Sequence, residues 1–429
     1  MFDQDGLSLD QAPPIGVVLR FFLAGTLWGI VGGIWLMFQG GDALDPAKPA
    51  ALILTHILTL GVMLSFMLGA LFQMLPVLAG IRIQAPVTLA IRTHYPLMLG
   101  TLFLLLGFGQ GLEIYYVLAL VFLVLGIGPA WGYMLTHLQR VATHSPSSRG
   151  MAHALFNAGI LLLLGIILIG LRNGWWANTH YLQLHTAHVG YGLLGWIGML
   201  ILSVSYQVVV MFYVTPSYPK TLMRWLTSIV TWLLVGGLLA GAFSAYLQAI
   251  FLVPALFGMM MYGIITLRRF SQRKRPLTDA TVWFWRMGAV GLIVSMGGAV
   301  WLTFFPNAIH VSAWTALAFG VFALSVVLAM GYKIVPFLVW FHLNAKGYFA
   351  APMMHEVIHP KYAMRHLWIH VAMTLMGLLS VAAPVLWPAT GGLLALSFGW
   401  LGAGIYRAWH RYLDVERTGE KFSFGFSNQ

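Results

Sequence analysis

Four histidines stand in apolar surroundings where a titratable ring needs a reason. His56 opens the stretch THILTLGVMLSFMLGALFQMLPVLAG, His185 and His188 lie in QLHTAHVGYGLLGW, and His310 lies in NAIHVSAW. Neutral imidazole binds haem iron, copper and zinc. A haem takes its two axial ligands from opposite faces of the ring, so they come from different helices. His185 and His188 are three residues apart and share one helix face, so they cannot both ligate one haem iron. One can bind iron while the other orients it, or the pair, with His310, can hold a copper or zinc ion. Without a cofactor each ring must find a hydrogen bond, because an unpaired polar group in hydrocarbon costs several kcal/mol. Helix–helix hydrogen bonding meets that need too, and His310, beside a loop, fits interfacial solvation best.

The chain has no cysteine, which excludes thiolate metal sites, disulfides and covalent C-x-x-C-H attachment of haem. Any haem is therefore held non-covalently, as a b-type haem is. A second set of histidines falls at the opposite ends of the apolar segments. Within it His355 and His359, and likewise His366 and His370, are spaced i, i+4, as residues sharing a helix face are. That spacing suits a divalent metal, but Glu356 is the one nearby acid and basic loop residues surround the group. A solvated or headgroup-facing cluster is expected there. All 11 acidic residues fall in loops, tails or segment ends. A proton pump or a carboxylate-dependent cation carrier usually places an acid at mid-membrane, so both are disfavoured, while carriers of anions or neutral solutes remain open. Lys333 is the one charge expected within a span's inner third, snorkelling inward or bonding a carbonyl.

The elements that must position these residues are membrane helices. Hydrophobic residues make up 60% of the chain and charged ones 8%, against about 25% charged in a soluble domain. Apolar runs long enough to cross a hydrocarbon core of ~30 Å recur throughout. No alternating pattern suggests a barrel, so the spans are helices. About twelve are expected, starting near Ile15, Ala50, Val87, Leu112, Met151, Leu182, Leu222, Tyr246, Val282, Val311, His366 and Thr390. Connections are short, so residues 1–429 read as a single polytopic all-α membrane domain in contact with the lipid bilayer. The net charge of +12 does not point to nucleic acid, because the basic residues occupy short loops and form no face interleaved with aromatics. Arg82 and Arg92, Arg140 and Arg149, Lys220 and Arg224, the cluster Arg268 to Arg275, and Lys346 to Arg365 fall in alternate connections. By the positive-inside rule both termini are expected in the cytoplasm. The acidic N-terminus, MFDQDGLSLDQAPP, lacks the basic region of a signal peptide and is expected to be retained.

Spans two, six and ten share a loose pattern in GALFQMLPV, SVSYQVVVM and AMGYKIVPF. An aromatic residue (Phe72, Tyr206, Tyr332) precedes a polar one (Gln73, Gln207, Lys333), and proline follows in two copies. The spacing suggests three four-helix units. All three spans run from outside to inside, so His56, His185, His188 and His310 are expected near one outer depth.

Together these features resemble the haem–copper oxidase subunit I superfamily, especially its divergent haem-containing relatives of the NnrS type, linked to nitric oxide response. The resemblance covers most of the chain as twelve spans, inside termini and three four-helix arcs. In that superfamily an outer-side histidine on span two binds low-spin haem, which His56 in THILTLG matches. A histidine on span six binds copper; His188 or His185 lies on that span, nearer its outer end. The oxidases also carry adjacent histidines on span seven and an H-x-H pair on span ten, where this chain reads LMRWLTSIVTWLLVGG and WTALAFGVFALSVVLAMG. The resemblance thus implies a haem-binding, bacterial inner-membrane protein without a complete haem–copper binuclear centre. It would act in respiratory electron transfer, nitric oxide handling or metal homeostasis, with an electron donor or a respiratory complex as partner. The rival readings are a cofactor-free permease and a non-catalytic subunit of a respiratory complex.

Overall fold

The computed structural model describes residues 11–177, 180–275 and 278–421; the acidic N-terminal residues Asp3, Asp5 and Asp10 lie outside the described residues. Among these, twelve helices are long and apolar enough to cross a membrane. They are α1 (Ile15–Leu44), α2 (Pro49–Ala79), α3 (Pro86–Gln110), α4 (Glu113–Gln139), α5 (Pro146–Arg172) and α6 (Tyr181–Tyr213) in the first half. The second half holds α7 (Lys220–Gly241), α8 (Ala245–Ser271), α9 (Ala280–Phe304), α10 (His310–Ala345), α11 (Pro360–Ala382) and α12 (Pro384–Thr418). The chain is a multi-pass membrane protein. Several helices begin earlier than the apolar runs suggest, by six residues in α11 and α12. Pro49, Pro86, Pro146 and Pro360 each open a helix at its first position, where a missing N–H costs nothing, and the polar first turn lies outside the apolar run.

Each helix packs against its neighbours in the chain, and α12 returns against α1 to close the bundle. The closing seam is a backbone contact. A Cβ on Gly33 of α1 would stand 2.3 Å from the Ala395 nitrogen, and one on Gly391 of α12 would stand 2.4 Å from the Met37 nitrogen. Only glycine permits so close a crossing. Large apolar side chains such as Leu27, Leu125, Ile250 and Leu379 cover the outside, as contact with lipid requires.

Helices α2, α6 and α10, with α1, are buried along most of their apolar length, whereas the other eight present most of theirs outward. The three even-numbered inner helices meet, with α1 and α9, around one apolar cavity. The expected recurrence between spans two and six has a conformational counterpart. Residues Ile57–Leu64 of α2 and Tyr191–Gly198 of α6 are both eight-residue π-helical segments. Fifteen residues of α-helix follow each, Ser65–Ala79 and Met199–Tyr213. Both segments start 16 residues before the shared glutamine (73 − 57 and 207 − 191). Helix α10 keeps α-helical winding throughout, so at this level the repeat is twofold. The glutamines themselves diverge: Gln73 is buried with neither amide atom hydrogen-bonded, while Gln207 is exposed.

Candidate functional site

The π-helical segments start one residue beyond His56 and three beyond His188. His56 comes seven residues after Pro49 of α2, and His188 seven after Tyr181 of α6. At ~1.5 Å rise per residue both rings lie about 10 Å from the same end of the bundle. Runs of i→i+5 hydrogen bonds are rare and frequently mark functional sites.

His56 is held by its own helix. Its Nδ1 donates to the Leu52 carbonyl at 2.8 Å, because a carbonyl can only accept; this fixes the tautomer and leaves Nε2 with a bare lone pair. Phe108 of α3 covers the ring at a centroid distance of 4.9 Å. Arg172, at the end of α5, lies 5.8 Å over the Phe108 ring and donates from Nε to the Tyr116 hydroxyl at 2.9 Å. His188 faces α5, where a Cβ on Gly165 would touch its Cε1 at 3.4 Å. Its Nδ1 is buried and makes no well-formed hydrogen bond, although the Leu161 carbonyl interacts with the ring. His185 stacks on Tyr181 at 6.3 Å. His188 lies within electrostatic reach of both His56 and His185, and His56 of His185. Two helices thus bring three imidazoles into one neighbourhood.

His310 does not join them. Its exposed ring lies against Trp314 at the start of α10. Among the described residues no three histidine or acidic side chains form a group able to hold a metal ion, and His185, His188 and His310 are not gathered into one. Imidazole nitrogens presented from two different helices are the donor type that ligates haem iron. The site offers a bare, anchored nitrogen on α2, a buried unsatisfied nitrogen on α6, and a glycine where a side chain would crowd His188.

No family model matches this chain, and no curated protein matches it significantly.

A second histidine pair, expected to be solvated, is in fact buried. His366 and His370 of α11 are both 0% exposed. The Tyr332 hydroxyl meets His366 Nδ1 at 2.7 Å, and the Ser397 hydroxyl meets its Nε2 at 2.8 Å. A neutral imidazole has one donor and one acceptor nitrogen, so one hydroxyl donates and the other accepts. Ser325 meets His370 Nε2 at 2.8 Å, and Phe284 packs against both rings. The i, i+4 spacing was visible in the sequence, but its partners are single hydroxyls on α10 and α12. His355 and His359 do not share a helix face. His355 lies in the single turn Met354–Val357, and His359 caps α11 by accepting from the Lys361 N–H at 3.1 Å. Pro360 forbids one continuous helix through them.

Lys333 bonds a carboxylate rather than a carbonyl. Its Nζ donates to Asp279 Oδ2 at 2.6 Å and lies 5.4 Å from the Tyr213 ring centroid. Asp279 caps α9 through the Val282 N–H at 3.2 Å. Burial pushes its carboxyl upward, but the Lys333 ammonium and the hydrogen bonds it accepts outweigh that and hold it below the ordinary 3.8.

Proposed function

We propose that this chain is a haem-binding membrane protein of the oxidase-subunit-I type without a complete haem–copper centre. It acts in respiratory electron transfer, nitric oxide handling or metal homeostasis. His56 would hold the haem iron through Nε2, His188 on α6 would be the second ligand, and His185 would support it. Arg172, beside the Phe108 that covers His56, supplies a cation for the haem carboxylates. When bound, the haem would supply a one-electron iron couple. The chain's own residues fix the His56 tautomer, present two imidazoles from different helices at one depth, and keep the site among apolar walls. The observation that carries this reading is the placement of His56 one residue, and of His188 three residues, before the two π-helical segments of the inner helices α2 and α6. By the basic-loop rule this end of the bundle is periplasmic, both termini are cytoplasmic, and the membrane is a bacterial inner membrane.

An optical spectrum of purified protein tests the proposal. A Soret band that shifts on reduction is expected, and His56→Ala should bleach or move it. Absence of the band from protein made in a haem-sufficient host would refute it.

A further inference from the structure

The cavity where α1, α2, α6, α9 and α10 meet has a volume of about 80 Å³. Its walls include Met63, Met67 and Met74 of α2, Met330 of α10, Val204 of α6 and Trp285 of α9. Ser205 is the one hydroxyl among them, and it is engaged: it accepts from Tyr262 at 2.8 Å and donates to the Leu202 carbonyl at 2.7 Å. Even with the indole N–H of Trp285, which makes no hydrogen bond, the walls fall short of the two to four polar partners that hold a buried water. The space is therefore dry. It is about half the size of an engineered apolar cavity of ~150 Å³ that takes benzene or xenon, which limits an occupant to a few atoms. A charged occupant is excluded as well, since no ionisable group lines the walls and a buried unpaired charge is strongly disfavoured.

Thioether sulfur is the most polarizable group in the side-chain repertoire used here, and four thioether-bearing side chains line one small space. Dispersion is the attraction left to such a wall. We propose that this cavity binds one small, uncharged, apolar molecule of diatomic-gas size. The site has a defined relation to the histidines: Met63 belongs to the π-helical segment that starts immediately after His56. A molecule in the cavity thus sits one segment inward of the imidazole cluster, on the axis where the three inner helices converge. The proposal rests on the cavity alone and holds whether or not haem is bound.

The probe is dioxygen, whose paramagnetism broadens nearby methyl resonances. The full-length protein in detergent, labelled with 13C at methionine methyls, is compared under dioxygen and under argon. The methyls of Met63, Met67, Met74 and Met330 should broaden far more than that of Met151, which is buried elsewhere, and at least as much as that of lipid-facing Met261. Ala70→Leu, which adds three carbons to a wall residue, should abolish the excess at Met63 and Met330. Met67→Ala should preserve it. Val204→Phe is a second filling variant, read in the same way as Ala70→Leu. Broadening of the four cavity methyls no greater than that of Met151 overturns the proposal, as does an excess that survives in a folded filling variant. If neither filling variant folds, the wild-type comparison with Met151 decides alone.

Discussion

Deleting one residue from a π-helical segment tests whether that segment aims the histidine beside it. Thr59 lies in the middle of Ile57–Leu64, and removing it lets the i→i+5 run relax to ordinary α-helix. Winding seven α-helical residues where eight π-helical ones stood turns everything on the His56 side by about 45° relative to the rest of α2 and moves it by roughly 1 Å along the axis. With side chains reaching ~5–6 Å from the helix axis, the His56 ring is displaced by about 4 Å. A metal–imidazole bond is about 2 Å long, so no rotamer change restores ligation. The deletion should abolish the Soret band while helicity and the melting transition persist, because the relaxed helix has the more regular hydrogen bonding. Deleting Leu193 from Tyr191–Gly198 should do the same to His188 from the opposite helix. A folded Thr59 deletion variant with an unaltered haem spectrum would show that His56 is not positioned by the π-helical winding, and the functional weight placed on the two matched segments would fall with it.

The seam between α1 and α12 should be intolerant of a single methyl group. Gly33→Ala brings a Cβ within 2.3 Å of backbone and should cost roughly 1–3 kcal/mol as the helices separate, whereas Gly128→Ala, with nothing within 4 Å, should be neutral or stabilising; equal melting temperatures would refute the seam. Replacing His366 by phenylalanine leaves the Tyr332 and Ser397 hydroxyls buried without that partner, at roughly 1–3 kcal/mol each, so the transition temperature should drop clearly, and less so for His366→Gln. For the ion pair between Asp279 and Lys333 the sign follows from a carboxyl held below its unfolded value of 3.8. Its contribution is present above that value and is lost as pH falls through the lower folded value. Asp279→Asn should therefore lower stability at pH 7 by about 1–2 kcal/mol, less than a fully buried pair because the carboxylate is 44% exposed, and should flatten the acid limb of a stability–pH curve; an unchanged acid limb would contradict the pairing.

Much of the architecture was legible in residue types alone. A chain with so few charges and so many long apolar runs can satisfy its backbone in lipid only as helices, and twelve such helices are present among the described residues. His56 and His188 were legible as well, since a titratable ring in an apolar run stands out against its neighbours. Periodicity could not show the π-helical winding of α2 and α6, because such a run differs from α-helix in backbone register and carries no composition of its own. The burial of His366 and His370 was equally hidden. It depends on Ser325, Tyr332 and Ser397, which sit on other helices and have no sequence relation to α11. Lys333 lies 54 residues from Asp279, and only the packing of α9 on α10 makes them partners. The same holds for the apolar cavity, whose methionines are ordinary core residues in sequence and become one wall only when α2, α6 and α10 converge. What the amino acids decide locally is which segments leave water and which rings enter with them; which groups then meet across helices is decided by packing, because those contacts join positions that local pattern does not relate.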